Sequence, residues 1–377
     1  MNLTVVIFSF LWTAALVLVA LTHNPAWLLL PFAVFLVHEI VFFGTGVSLL
    51  FRSNDLTENF YDLSLWGKYF GSTADDNYSE GYYGEVGQEN YDVTPRVAEN
   101  HKFARFLDLL GAEQGDTILN MGCGTCTFDA YCKTRGIKTI GITLSAEQVA
   151  LCKSKGVEAI QWNYNEFNPA LEGVADHVMA NGTFEHVNQN GGPPSWRSSY
   201  QQKVHDATAI LSIYKRYLRK DDGRKHRIMV STLHQNERAT HDWGIVLLQR
   251  SYGGLMFLDT PELDVRMAAK GAGLRTTVWE DHTRDYYMST ILDKNHFGRP
   301  ASFTHPAALA MMVGGVAYPY IWYMWLYYVL GVWMYMFDGK FHVVGINAEN
   351  ADFGCLPINE TPNSLKWAVL ENEENIT

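Results

Sequence analysis

Apolar and polar positions divide the chain into flanks and a centre. At the amino end, residues 3–21 carry no charge and are about long enough to cross a bilayer as a helix. After a break at 22–26, residues 27–51 form a second apolar run, interrupted by the ionisable pair His38 and Glu39. Charge is costly in lipid, so that pair either faces protein or marks where the segment leaves the bilayer. A third apolar stretch, 307–337, is dense in Tyr, Trp and Met and broken by Gly314, Gly315 and Pro319. Its aromatics extend beyond two headgroup belts, which fits a kinked span or a re-entrant hairpin as well as one straight helix. The expected layout is a transmembrane hairpin at 1–52, a catalytic domain at 53–300, a membrane segment at 301–337 and a loosely structured polar tail at 338–377.

In the centre the period changes. Short apolar runs predict strands at 117–121, 139–143, 158–162, 177–180, 227–232 and 274–280. Helical patterns predict helices at 97–110, 127–135, 146–155, 208–218, 261–270 and 285–292, with Pro261 suited to a first turn. Strands alternating with helices make an α/β domain around a parallel sheet.

One turn in that domain carries a chemical signal. Gly122, Cys123 and Gly124 follow the strand at 117–121 directly and lead into a helix. Such a turn lets a ligand lie against bare backbone at the carboxyl end of a strand. The dinucleotide pattern wants a third glycine, and Thr127 stands in its place. S-adenosylmethionine has no pyrophosphate and does not need that helix N-terminus. A methyltransferase-type site is therefore the first reading, and a nicotinamide or flavin site the second.

The runs MGCG (121–124), GITLSAEQ (141–148) and ANGTFEHV (180–187) resemble the cyclopropane-fatty-acid synthase and lipid C-methyltransferase family, over residues 61–297. The resemblance implies a Rossmann-like class I methyltransferase sheet, here flanked by transmembrane helices, with S-adenosyl-L-methionine as cofactor and a lipid double bond as substrate. It implies that Gly122, Cys123 and Gly124 form the cofactor turn. By the same resemblance Thr143, Leu144 and Gln148 hold the ribose and amino-acid portion, and Asn163 and Tyr164 border the adenine. Tyr78 and Ser79 fall in a cap that closes over the cofactor.

Glu185 is the candidate for stabilising a carbocation and moving a proton; its plainer reading is a helix-capping carboxylate. Tyr287, in YYMST where the family has HYARTL, is the second catalytic candidate, with a core tyrosine as the alternative. Three positions depart from the family. Glu80 replaces a cysteine, Ser231 replaces a histidine (His234 lies three residues on), and Asn120 replaces the acidic residue closing the first strand. Cyclopropane formation in the family uses a bicarbonate that a carboxylate at 80 would repel. These departures favour plain methyl or methylene transfer. The insert 188–196 (NQNGGPPSW) makes an irregular loop suited to the substrate mouth.

Composition narrows the surroundings. A net charge of −11 over 377 residues argues against nucleic acid as partner. Five cysteines, an odd number, suit reduced thiols, and Cys123 with Cys126 lacks the second pair a zinc site would want, so no metal is expected. Arg52, Lys68, Lys294 and Arg299 lie on the domain side of the apolar segments, which orients the domain to the cytosol. Three full spans would leave 338–377 on the opposite side. The resulting reading is a multi-pass membrane methyltransferase whose partners are the bilayer and a lipid substrate. Alternatives are a head-group N-methyltransferase, a sterol C-methyltransferase, or a membrane scaffold with a degenerate methyltransferase fold.

Overall fold

The computed structural model describes residues 3–31, 33, 80–85, 88–90, 92–186, 200–220, 223–235, 261–282, 285 and 363–373. Seven strands form one sheet in the order β3-β2-β1-β4-β5-β7-β6. They are β1 Thr117–Met121, β2 Lys138–Thr143, β3 Glu158–Gln161, β4 His177–Asn181, β5 Arg227–Gln235, β6 Leu274–Asp281 and β7 Asn363–Asn372. The pairings of β1 with β2 and β4, of β2 with β3, and of β4 with β5 are parallel. β7 is antiparallel to both β5 and β6.

Parallel strands need crossovers, and helices supply them on both faces. Helices α1 Leu3–Thr22 and α2 Pro95–Leu110 precede the first strand; the helices between strands are α3 Thr127–Thr134, α4 Ala146–Ser154, α5 Tyr200–Tyr217 and α6 Pro261–Gly271. The helix that leads into β1 shows why the chain turns where it does. Thr94 caps α2 by accepting from Val97 N, Pro95 fills its first turn, and Gly111 ends it in the left-handed region.

Side chains alternate across the sheet, as a two-residue period requires. Leu119, Val178, Val230 and Leu370 face a core built with Leu211, Tyr214 and Leu274. Their neighbours Ile118, Met179, Met229 and Val369 face the other core, with Phe106, Phe128 and Trp367. At the amino edge, Asp176 accepts from Thr117 N and from Arg219 and Arg224, and Arg224 also reaches Asp116. Burial pushes His177 beside them down to about 4, so it is neutral at pH 7 and accepts from Arg227 N.

Four expectations change. Helix α5 begins at Tyr200, earlier than the periodicity suggested. Residues 363–372 are not tail: they form β7, placed between β5 and β6. The catalytic domain therefore extends past residue 300 to the end of that strand. It also follows that 363–372 cannot lie across a membrane from the sheet, because β7 is part of the sheet.

Among the described residues no helix is long and apolar enough to cross a membrane. Helix α1 has 20 residues and no charge, but only Leu11 and Thr13–Thr22 have described side chains. Most of 27–51 and all of 307–337 lie outside the described residues.

Trp367 is fully buried in the middle of β7, edge-on to Phe106 and stacked on His282. Trp367→Ala should lower stability by about 3–5 kcal/mol, read as a shift in the urea midpoint of the full chain. A dispensable tail would show no shift.

Candidate active site

The carboxyl ends of β1, β2 and β4 lie side by side, and each is followed by a backbone turn that its neighbours hold. After β1, Gly122 N and Cys123 N both donate to Ile142 O of β2, at 2.8 and 3.0 Å. Gly122 has φ +77 and packs so closely on the chain after β4 that a Cβ would stand 1.9 Å from Thr183 Cγ2. The Thr183 hydroxyl in turn donates to Met121 O at 2.9 Å. Only glycine fits that junction. Two residues on, Gly124 has φ +54, and among the described residues nothing lies within 4 Å of a Cβ position. Among the described residues the turn is thus closed at Gly122 and open at Gly124.

The end of β2 is a self-contained unit. Thr143 donates to Gln148 Oε1 at 2.6 Å, and Ser145 caps α4 by accepting from Gln148 N at 3.0 Å. Thr143, Ser145 and Gln148 are all buried, while Leu144 is half-buried. Thr143 and Gln148 therefore shape the rim, and Leu144 is the side chain of the three that reaches the surface. After β3, Asn163 organises its own turn by accepting from Asn165 N. Tyr164 is buried in the core and donates to Thr183 O at 2.8 Å, tying this loop to the end of β4. Cys123 is also buried, and its sulfur points down toward Gly141 of β2.

Glu185 lies in the single turn Phe184–His186 that follows β4, on the same edge of the sheet. Its backbone is described and its side chain is not. Beside it, Ser231 of β5 donates to Asn181 Oδ1 and accepts from Gly182 N. The hydroxyl that replaces the expected histidine thus builds the turn leading to Glu185. Tyr78, Ser79 and Tyr287 lie outside the described residues, as does the side chain of His234. Glu80 is buried against α2, where its carbonyl accepts from Lys102 Nζ at 2.6 Å.

Three features went unread in the sequence. The first is Asp129 in the first turn of α3, fully buried and accepting from Asn120 Nδ2 at 2.7 Å. Burial pushes its carboxyl up to about 6, against the opposing pull of Asn120.

The second is a chain of charges around His282. Its Nδ1 meets Asp285 at 2.8 Å and its Nε2 meets Glu280 at 2.9 Å, while Arg105 also binds Glu280. Burial opposes the charged imidazole, but the two carboxylates raise its pKa. Asp285 also accepts from Tyr83 N at 2.9 Å, so the network fastens the segment at 80–85 to the end of β6. The acid–His–acid spacing of Glu280, His282 and Asp285 was the available signal.

The third is covalent. Cys126 and Cys152 form a disulfide with Cα atoms 5.5 Å apart, which corrects the expectation of reduced thiols for this pair. The sulfurs of Cys123, Cys126 and Cys152 lie within 4.8 Å of one another, and of these three Cys123 is the free thiol.

Residues 52–224 match the family profile described as mycolic acid cyclopropane synthetase. A probable fatty acid methyltransferase of Mycobacterium tuberculosis is 31% identical over 110 residues, which is 28% of this chain and 26% of that protein. An S-adenosylmethionine-dependent methyltransferase of the same organism, UmaA, is 28% identical over 141 residues, 35% of this chain and 48% of that one. The chain thus matches about half or less of the length of these curated relatives. In fold it is similar to the mycolic acid cyclopropane synthase CmaA1, solved with SAH and CTAB. The TM-score is 0.60 at 15% identity, over 84% of this chain and 98% of the other.

Asp129 makes a pH prediction. Its folded pKa of about 6 lies above the unfolded value of about 3.9. The protonated carboxyl therefore favours the fold below about pH 4, and that contribution is lost as pH rises through about 6. Asp129→Asn keeps an acceptor for Asn120 without the charge. The variant should match wild type near pH 4 and exceed it at pH 7 by on the order of 1–3 kcal/mol. Urea unfolding at the two pH values reads the difference, and a gap that does not grow with pH would contradict the assignment.

Proposed function

Since residues 52–224 match the mycolic acid cyclopropane synthetase profile, we propose that this chain is a cyclopropane-fatty-acid synthase-like S-adenosylmethionine-dependent methyltransferase that adds a one-carbon unit to a carbon–carbon double bond of a lipid. The observation that carries the reading is the glycine turn, closed at Gly122 by Thr183 and open at Gly124 among the described residues. Gly122, Cys123 and Gly124 contribute backbone to the cofactor site, and Leu144 and Asn163 edge it. Bound there, S-adenosylmethionine supplies an electrophilic methyl group to the alkene.

The residues of this chain do the rest. Glu185, on the turn after β4, stabilises the positive charge that develops on the lipid and accepts the proton that leaves it. Tyr287 is the second acid–base group, and Tyr78 and Ser79 close over the cofactor. Proton loss without ring closure yields a methyl-branched or methylene product. The Ser231 hydroxyl, committed to Asn181 and Gly182, supports that outcome over a cyclopropane, since it does not stand in for a histidine.

Membrane association is part of the same reading. β6 ends, and β7 begins, at the edge of the sheet where the glycine turn lies, with Asp281 opposite Lys366 and Gln235 opposite Asn363. Residues 282–362, with the apolar stretch 307–337, leave that edge and return to it. A connection that leaves and returns to one edge of the sheet lets the apolar stretch within it either enter the bilayer and come back or lie along it. A single crossing does not fit. The active edge then faces the lipid, with 3–21 and 27–51 as further anchors, and a water-insoluble substrate need not cross water.

Two substitutions test the reading in the full chain. Gly124→Ala fills the open face and disfavours the left-handed backbone, so S-adenosylhomocysteine affinity should fall about tenfold with circular dichroism unchanged. Glu185→Gln should bind S-adenosylhomocysteine normally but form product about a hundredfold more slowly. Product is read by lipid mass spectrometry as an added one-carbon unit. Wild-type lipids lacking that addition, or a Glu185→Gln protein of undiminished rate, would refute the proposal.

A further inference from the structure

Beneath the glycine turn lies a compact sulfur cluster that the methyl-transfer chemistry does not use. Cys126 closes the turn and precedes α3; Cys152 lies in α4, 26 residues further on. Both are fully buried, and Cys123 is nearly so, packed with Val149, Val157 and Ala159. The floor below them is tailored. Gly141 sits mid-strand in β2, and a Cβ there would stand 2.7 Å from the Cys123 sulfur and 3.3 Å from that of Cys126. A glycine inside a strand commonly marks such a close approach. Cys126 itself has φ +57, rare for a residue with a side chain, and offers no side-chain cap to α3. From the α4 side, Lys155 Nζ donates to Thr125 O of the turn at 2.9 Å.

We propose that the Cys126–Cys152 disulfide is a reversible redox staple of the cofactor turn: its oxidised form holds the turn in the shape that binds S-adenosylmethionine, and its reduction weakens binding. The proposal rests on the reading of that turn as the cofactor site. Reduction by a dithiol breaks one S–S bond and forms two S–H groups. The dithiol supplies both electrons and both protons and leaves as its own disulfide.

The direction of the effect follows from the packing. Two thiol sulfurs need more room than a bonded pair. Gly141 closes the floor and α4 the side, so the turn must yield upward, into the open space at Gly124 where the ligand would lie. The same bond joins the turn to the helix carrying Gln148, which holds Thr143 at the end of β2, so its loss loosens two walls of the site together. Cys123 does not scramble the pairing. Burial and the neighbouring Asp129 charge keep its thiol protonated, and a thiolate is the attacking species.

Linkage adds a reciprocal consequence. If reduction lowers ligand affinity by some factor, bound ligand resists reduction by that same factor.

The test titrates S-adenosylhomocysteine into full-length protein, oxidised or reduced by dithiothreitol, with free thiols counted by mass tagging. The expected result is affinity about tenfold weaker after reduction, restored on reoxidation. Cys152→Ala should match reduced wild type in both conditions, and Cys132→Ala, a buried cysteine outside the cluster, should behave as wild type. S-adenosylhomocysteine should slow reduction of the staple. Equal affinity in the two verified states would overturn the proposal and leave the cofactor reading standing. Absence of a Cys126–Cys152 cross-linked peptide under oxidising conditions would also overturn it. Binding in neither state would overturn both.

Discussion

The antiparallel strand β7 is the constraint on which the rest of the architecture depends. Between β5 and β6 it supplies the ladder for both, so α6 and β6 have a place only because the last part of the chain returns. Its inward side chains join both cores, Leu370 on one face and Trp367 with Val369 on the other. Because β7 runs against its neighbours, it begins at the edge where they end. The 282–362 connection is thereby pinned at both ends to the edge that carries the glycine turn. This single pairing brings the end of β6 and the start of β7 to the same edge as the glycine turn.

At that edge, backbone does most of the shaping and side chains lock the backbone. Ile142 O holds the turn after β1, Thr183 closes beneath it, Tyr164 ties the β3 loop to Thr183 O, and Ser231 sets the turn after β4. Each contact joins the ends of two different strands. A change at one strand end is therefore felt at the next, and the site behaves as one rigid rim. The His282 network extends the rim to residues 80–85 by holding Tyr83 N through Asp285.

The sequence was legible where local chemistry decides structure. All six parallel-running strands were found near their observed limits, and the glycine turn stood out because Gly122 and Gly124 follow a buried run directly. β7 was missed because its partners lie far off in the chain. The apolar run Trp367–Leu370 was visible, but the acidic residues after it read as a tail, and long-range pairing leaves no local mark. The disulfide was missed for a related reason. The close spacing of Cys123 and Cys126 drew attention, whereas the bond joins Cys126 to Cys152 across the β2 crossover. Spacing shows which cysteines are near in sequence; the fold decides which sulfurs meet.

The contact between Asn120 and Asp129 explains the departure that looked most damaging in the sequence. An acidic residue closes the first strand in the resembled family, and Asn120 stands there instead. In three dimensions Asp129 brings a carboxylate to within 2.7 Å of the Asn120 amide, just beneath the turn. An aspartate at 120 would face that carboxylate at the same distance in a site without solvent, and two such groups cannot both ionise. The two positions can therefore hold one ionised carboxylate between them, and here α3 supplies it. The amide at 120 donates to it, burial holds it near the edge of ionisation, and the turn keeps an acid below its backbone although β1 carries none.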